Sequence, residues 1–236
     1  MKTAIITGAS GNGIGRSTAL TLARDHFQIV VNYRSNKANA ESICTYINQN
    51  GGNAIPIKAN VFDSEECKSL VEQSLLQYKQ IDVCIIGPGA GWNPEPPEKL
   101  NYKSSIQDLI QEVSPIYALV PLLIPEMAKV KTGRIIGISS NQKAPSPSYS
   151  YNTAKCARID ALIGLSKACW KHRITINVIA PGPVEHIDKI ENAIQKSNDF
   201  STVGVKVSPQ DIAEAIAFLC SEKGRYITGN IIEMNF

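Results

Sequence analysis

The sequence predicts an α/β protein: a doubly wound parallel sheet of about seven strands with helices on both faces. Three observations lead there. Short runs rich in Ile and Val alternate with amphipathic segments, as strand–helix repeats do. Several runs are continuously apolar, as strands covered on both faces are. A glycine-rich turn directly follows the first run, where open α/β sheets hold phosphates at a helix N-terminus.

The strands predicted in order are Thr3–Thr7, Ile29–Tyr33, Ala54–Ile57, Val83–Ile86, Arg134–Ser139, Thr175–Ile179 and Ile231–Met234. Gly, Pro or Asn bounds them, which is the punctuation expected of strands. The amphipathic segments Arg16–Arg24, Lys37–Gln49, Glu65–Tyr78 and Asp211–Ser221 read as helices between them. Right-handed crossovers leave few ways to connect such a chain. We expect one domain over residues 1–236, without linkers or internal repeats. Two loops break the rhythm, 87–100 and 181–209. Both follow the C-terminal ends of parallel strands, where ligands bind in open sheets, and loops of that length are often functional.

Composition narrows the function. The net charge of +3 comes without a basic run, so neither a nucleic-acid nor a membrane-surface partner is expected. No stretch is apolar enough to span a bilayer, and no signal peptide precedes the first strand. Six scattered cysteines, with no Cys-x-x-Cys pair, suggest buried thiols in a reducing compartment. His26, His172 and His186 lack metal-ligand spacing. The expectation is a cytoplasmic protein without a metal.

Two motifs carry chemistry. The first is Thr7-Gly8-Ala9-Ser10-Gly11-Asn12-Gly13-Ile14-Gly15, between the first strand and a helix. Glycines there allow a tight turn and close approach of the backbone to a pyrophosphate. The second is Tyr151 and Lys155, eleven and fifteen residues after Ser140. Positions four apart share a helix face. An ammonium beside a phenol favours the phenolate, which suits a proton donor and acceptor near neutral pH. The same spacing recurs at Tyr33 and Lys37, and context separates the copies.

On these motifs the chain resembles the short-chain dehydrogenase/reductase family over essentially its full length, with the nearest likeness to its 3-oxoacyl-carrier-protein reductase-like members. The resemblance implies a Rossmann-type sheet in the order 3-2-1-4-5-6-7. The family's Thr-Gly-x-x-x-Gly-x-Gly has one residue fewer than this loop, and Gly11 offers freedom to absorb the addition. Gly8, Ser10, Gly13, Ile14 and Gly15 are the expected cofactor contacts in it. Strand two ends Tyr33-Arg34-Ser35, without the acid that usually takes the ribose hydroxyls of NAD. Arg34 suits a 2′-phosphate and Ser35 adds a hydrogen bond, so NADP(H) is the expected cofactor, with NAD(H) possible. The bland alternative is a solvent-facing arginine. Asn60 and Val61 after strand three, Gly87, Pro88 and Gly89 after strand four, and Pro181, Gly182 and Val184 after strand six complete the expected binding set, together with Tyr151 and Lys155.

Matching Gly133–Ser140 to the family's serine strand makes Ser140 the catalytic serine, with Ser139 as fallback. The roles implied are Ser140 bonding the substrate oxygen, Tyr151 moving its proton, and Lys155 lowering the tyrosine pKa and holding the nicotinamide ribose. Tyr149 is a rival but has Thr153, not lysine, four residues on. Pro145 and Pro147 stiffen a shortened connection to the tyrosine.

Four departures from the family stand out. Ile86-Gly87-Pro88-Gly89 replaces Asn-Asn-Ala-Gly, and Asn60 replaces an acid near the adenine. Glu112 stands where the family keeps the asparagine whose carbonyl holds a relay water. Pro115 should kink that helix and release the Gln111 carbonyl, so either that carbonyl or the Glu112 side chain is expected to hold the water. The chain also ends Glu233-Met234-Asn235-Phe236 instead of continuing through Asp-Gly-Gly, which weakens the case for a tetramer.

The leading expectation is an oxidoreductase moving hydride between NADP(H) and a small-molecule carbonyl or alcohol, assembled as a homodimer or homotetramer. Trp92, Asn93, Pro94, Pro96 and the 183–208 segment either shape its pocket or simply pack. The alternatives are a catalytically weak or inactive NADP(H)-binding sensor, motivated by the lost asparagines, and a structural oligomer with vestigial sites.

Overall fold

The computed structural model describes residues 1–140, 147–195 and 206–234. Pro145, Asn235 and Phe236, and the middle of the 183–208 segment, lie outside the described residues. The strands are β1 (Thr3–Ile6), β2 (Gln28–Tyr33), β3 (Asn53–Lys58), β4 (Val83–Ile86), β5 (Gly133–Ile138), β6 (Ile174–Pro181) and β7 (Ile231–Met234). The helices are α1 (Ile14–Arg24), α2 (Lys37–Gln49), α3 (Ser64–Tyr78), α4 (Tyr102–Lys129), α5 (Tyr149–Trp170) and α6 (Pro209–Cys220). All strands join one sheet in the order β3-β2-β1-β4-β5-β6-β7, and every pairing is parallel.

Continuous apolar strands are explained by two cores, one on each face. Ile6, Val31, Ile85 and Ile136 point to the core that α1, α2 and α6 cover. Their neighbours Ile5, Val30, Cys84 and Ile135 point to the other, under α3, α4 and α5. Each such side chain contributes about 1.5–3 kcal/mol by leaving water. Both faces therefore select Ile and Val, and no polar alternation remains to be read.

Helix starts follow local hydrogen-bond chemistry. Asp63 caps α3 by accepting from the N–H groups of Glu65 and Glu66, and Asn101 caps α4 at Lys103 and Ser104. Ser208 caps α6 through Asp211, with Pro209 in the first turn. The helix α1 begins at Ile14, two residues before the amphipathic pattern, because Gly13 is its cap. The helix α4 runs from Tyr102 to Lys129 with Pro115, Pro121 and Pro125 inside it.

The strand order reverses at β1, whose neighbours are β2 and β4. Such a switch point opens a crevice beyond the strand ends. Thr7 fastens its walls: its hydroxyl donates to the Ile85 carbonyl (2.8 Å) and accepts from the Gly87 N–H (2.9 Å). Asn32 fastens the other side. Its carbonyl oxygen accepts from Gly8 N–H, and its amide donates to the carbonyls of Ile57 and Ala59.

Candidate active site

The crevice is a cleft of about 430 Å³ whose lining includes Gly8, Ser10, Arg34, Ser35, Asn60, Val61, Pro88 and Gly89. Gly8 needs to be glycine: its φ is +63°, and a Cβ would stand 2.6 Å from Pro88 Cγ. Gly15 lets α1 approach the loop, since a Cβ there would meet the Ala9 Cα at 2.9 Å. Gly11 and Gly13 face open space, which leaves backbone at the α1 N-terminus accessible to an anion.

Asn12, in the lengthened loop, has a structural use. The Asn12 side-chain oxygen accepts from Arg16 Nη1 (3.2 Å) and Asn39 Nδ2 (3.3 Å). Its carbonyl accepts from the Ile187 N–H. Arg16, buried, also donates to the carbonyls of Ile187 and Asp188. The glycine loop is thus tied to α2 and to the segment after β6.

Of the residues expected at the cofactor's adenosine end, Arg34 is exposed and stacks 5.8 Å over the Phe62 ring. The Tyr33 side chain instead packs into the core. Lys37 is solvent-facing and pairs with Glu41, which separates it from Tyr33. The duplicate spacing therefore has no chemical meaning. Asn60 donates its N–H to Glu66 and turns its side-chain oxygen to the Phe62 N–H.

At the ends of β5 and α5 the structure brings Ser140, Tyr151 and Lys155 together. The Ser140 and Tyr151 side chains are hydrogen-bonded, and Lys155 Nζ lies 5.2 Å from the Tyr151 ring centroid. Ser139 turns away: its hydroxyl donates to the Lys155 carbonyl (3.2 Å). Tyr149 is exposed in the first turn of α5.

Lys155 is buried, and its Nζ meets Glu112 Oε1 at 2.9 Å. Glu112 is fully buried and pairs through Oε2 with Arg158 Nη1, also at 2.9 Å. Oε1 accepts as well from the Ala90 N–H (2.7 Å). Arg158 further donates to the carbonyls of Ile86 and Pro88. The carboxylate thus touches Lys155 directly, and the Glu112 carbonyl accepts from Arg158 at 3.3 Å.

Electrostatics at the tyrosine differ from the expectation. Burial, then the Glu112 charge, push the Tyr151 phenol above its ordinary value. The Ser140 hydrogen bond and the Arg158 charge oppose them. Burial pushes the Lys155 ammonium below its usual range while Glu112 supports its charge.

The loop after β4 is zipped to the start of α5. Asn93 donates its N–H to Ser148 Oγ and accepts from it, and the Glu95 N–H donates to Pro147. Asn93 is thus fastened through its main chain, and both it and Trp92 are exposed. Beyond β6, Pro181 pairs with Met234 and the Gly182 N–H donates to the Met234 carbonyl. Val184 lies in a short bridge with Val207, in which Glu185 N–H and Pro183 C=O make the bonds. The sequence reading missed Asn32, Arg16 and Arg158. A polar residue inside the apolar run Val31-Asn32-Tyr33 was the available signal for the first.

Comparison with known proteins places this geometry in a class and then in a family. The fold is that of solved dehydrogenases: the acetoin dehydrogenase of Salmonella typhimurium superposes with a TM-score of 0.85 at 24% identity, covering 99% of this chain and 94% of that one. The family model described as enoyl-(acyl carrier protein) reductase matches residues 8–235. The 3-oxoacyl-(acyl-carrier-protein) reductase of Staphylococcus aureus is 31% identical, over 99% of this chain and 96% of that protein. An uncharacterized oxidoreductase of Bacillus subtilis is 32% identical, over 99% and 97%. The chain belongs to the short-chain dehydrogenase/reductase family. It is an oxidoreductase of CH–OH and C=O groups that uses a nicotinamide cofactor.

Proposed function

We propose that the protein reduces the keto group of 3-oxoacyl thioesters with NADPH, using Ser140, Tyr151 and Lys155. The observation that carries the reading is the hydrogen-bonded Ser140–Tyr151 pair beside buried Lys155, whose partner Glu112 packs against Gly89 in the cleft lining. Bound NADPH supplies hydride to the carbonyl carbon. Ser140 holds the carbonyl oxygen, and Tyr151 gives that oxygen its proton. Lys155 supports the negative charge left on Tyr151 and bonds the cofactor ribose.

The glycine loop and the start of α1 suit the pyrophosphate. Arg34 and Ser35 line the cleft where strand two ends, with no acid beside them in the sequence, and so favour a 2′-phosphate over a bare ribose. Asn60, Val61, Gly87, Pro88 and Gly89 would border the adenosine half, and Pro181, Gly182 and Val184 the nicotinamide half. The thioester assignment rests on the relatives' activity. A sensor that merely bound the nucleotide would have no use for a buried proton-transfer cluster.

We also propose that the chain acts as a single domain in a homodimer or homotetramer. Ile106, Ile110 and Tyr117 are exposed on α4, apolar side chains that a second copy would cover. Six free cysteines suit a reducing, cytoplasmic setting. No described helix is long and apolar enough to cross a membrane. Titrating NADPH and NADH against the protein and its Arg34→Ala variant tests the cofactor. NADPH should bind more tightly, and the substitution should erase most of the difference. Equal affinities in the parent would remove the assignment.

A further inference from the structure

Two helices meet at the proton-transfer cluster, and the charges they bring are fixed by geometry. Tyr151, Lys155 and Arg158 stand at spacings of four and three on α5, so they share one face. From α4, Glu112 projects onto that face and divides its two oxygens between the cations: Oε1 to Lys155, Oε2 to Arg158. Glu112 and Arg158 are both fully buried. One carboxylate against two cations leaves a single net positive charge next to the phenol. Lys155 alone would supply the same net charge, so Arg158 cancels what Glu112 introduces.

The carboxylate has no room to move. It is held by the Ala90 N–H, and a Cβ on Gly89 would stand 2.2 Å from Oε1. Arg158 is fixed in turn by the Ile86 and Pro88 carbonyls, which carry the loop bordering the cleft. The titratable groups facing the cluster are Tyr151, Lys155 and Arg158 from α5 and Glu112 from α4, with the Ser140 hydroxyl from the end of β5. The loop after β4 contributes the backbone groups just named.

We propose that Glu112 and Arg158 are positioning residues that anchor Lys155 and set the net charge it presents to Tyr151, and so the pH range in which Tyr151 passes its proton. The inference rests on the reading of Tyr151 as proton donor. It also rests on the direct ion pair between the Glu112 side chain and Lys155. The burial-and-charge balance at the phenol agrees in sign, with Glu112 raising its pKa and Arg158 lowering it.

The test is a cycle of Glu112→Gln, Arg158→Met and the double variant. Each is assayed as the full chain for NADPH-dependent reduction of acetoacetyl-coenzyme A across pH. Reduction needs the phenol protonated, so rate falls as pH rises through its pKa. Glu112→Gln leaves two positive charges and should move this alkaline limb down by about one to two pH units. Arg158→Met leaves none and should move it up by a similar amount. The double variant restores one positive charge, and its limb should return to within about half a unit of the parent.

A purely structural pair would lower thermal stability in both single variants without moving the limbs, and that result overturns the proposal. So does movement of both limbs in one direction, or a double variant whose limb is displaced like a single one. Should a single variant fail to fold because a buried charge is stranded, the double variant, which strands neither partner of the pair, still decides when compared with the surviving single. The near-ultraviolet phenolate band, taken as the difference from a Tyr151→Phe protein, reads the same ordering without turnover. Activity surviving in Tyr151→Phe would sink the underlying reading. A dead Tyr151→Phe with immobile limbs in the cycle would sink only this inference.

Discussion

Gly89→Ala is a one-carbon change whose consequence can be worked through. The new Cβ would stand 2.2 Å from Glu112 Oε1 and 2.5 Å from its carboxyl carbon, far inside contact distance. A flexible surface glutamate would swing aside at little cost. Glu112 cannot, because Lys155, Arg158 and the Ala90 N–H all hold its oxygens. Displacing it breaks a buried ion pair, which costs about 3–5 kcal/mol. Moving the loop instead overpacks the core at about 1–3 kcal/mol. The chain takes the cheaper route, so we expect about 1–3 kcal/mol lost. For a protein of this size that lowers Tm by roughly 2–12 °C. Urea unfolding and thermal melts measure it. Repeating Gly89→Ala in a Glu112→Asn, Arg158→Leu background, where the side chain is one carbon shorter, uncharged and free of its ion pair, should reduce the cost to about 1 kcal/mol or less. Equal cost in both backgrounds, or no cost in the parent, would refute the clamp.

Two further outcomes are expected. Ser140→Ala should lower turnover by about 10²-fold or more, as loss of one bond to the reacting oxygen does, whereas Ser139→Ala should keep turnover and lose about 1 kcal/mol of stability with its bond to the Lys155 carbonyl. Steady-state rates with matched melts separate the two, and a reversal would exchange their roles. Burial pushes the thiols of Cys44, Cys67 and Cys220 up to about 12, while Cys156 is exposed. A thiol reagent at mildly alkaline pH should therefore label native protein first at Cys156, since the thiolate is the reacting species, as peptide mapping would show; faster labelling at Cys44 would contradict the packing around α2.

The fold was legible because its signals are local. Lys37–Gln49 is bounded as its amphipathic pattern indicates, since Asn36 caps it and only its inner face meets the core. Strand ends drifted by one or two residues where pairing, not hydrophobicity, decides them. The strand β6 continues to Pro181 because Met234 pairs with it there. The site was half legible. Ser140, Tyr151 and Lys155 follow from spacing and resemblance. Ser139 could be told from Ser140 only by seeing which hydroxyl meets the Tyr151 side chain and which the Lys155 carbonyl. Tyr33 was expected at the cofactor, but alternation sends its side chain into the core. The pair Glu112–Arg158 was hidden because its members lie 46 residues apart, each on a helix where a charged residue ordinarily faces water. Nothing local announces that two such faces will meet, and the glycine that makes room for them reads as one more turn.

The central claim is that Tyr151 donates the proton in an NADPH-dependent carbonyl reduction. Its most direct test is NADPH oxidation with acetoacetyl-coenzyme A by the parent and by Tyr151→Phe, with NADPH affinity measured on both. The variant keeps the ring and loses only the hydroxyl. Turnover should fall by roughly 10²–10⁴-fold, the usual worth of a positioned acid, while NADPH affinity stays within about twofold, well under 1.4 kcal/mol. Turnover within a factor of a few of the parent would contradict the account.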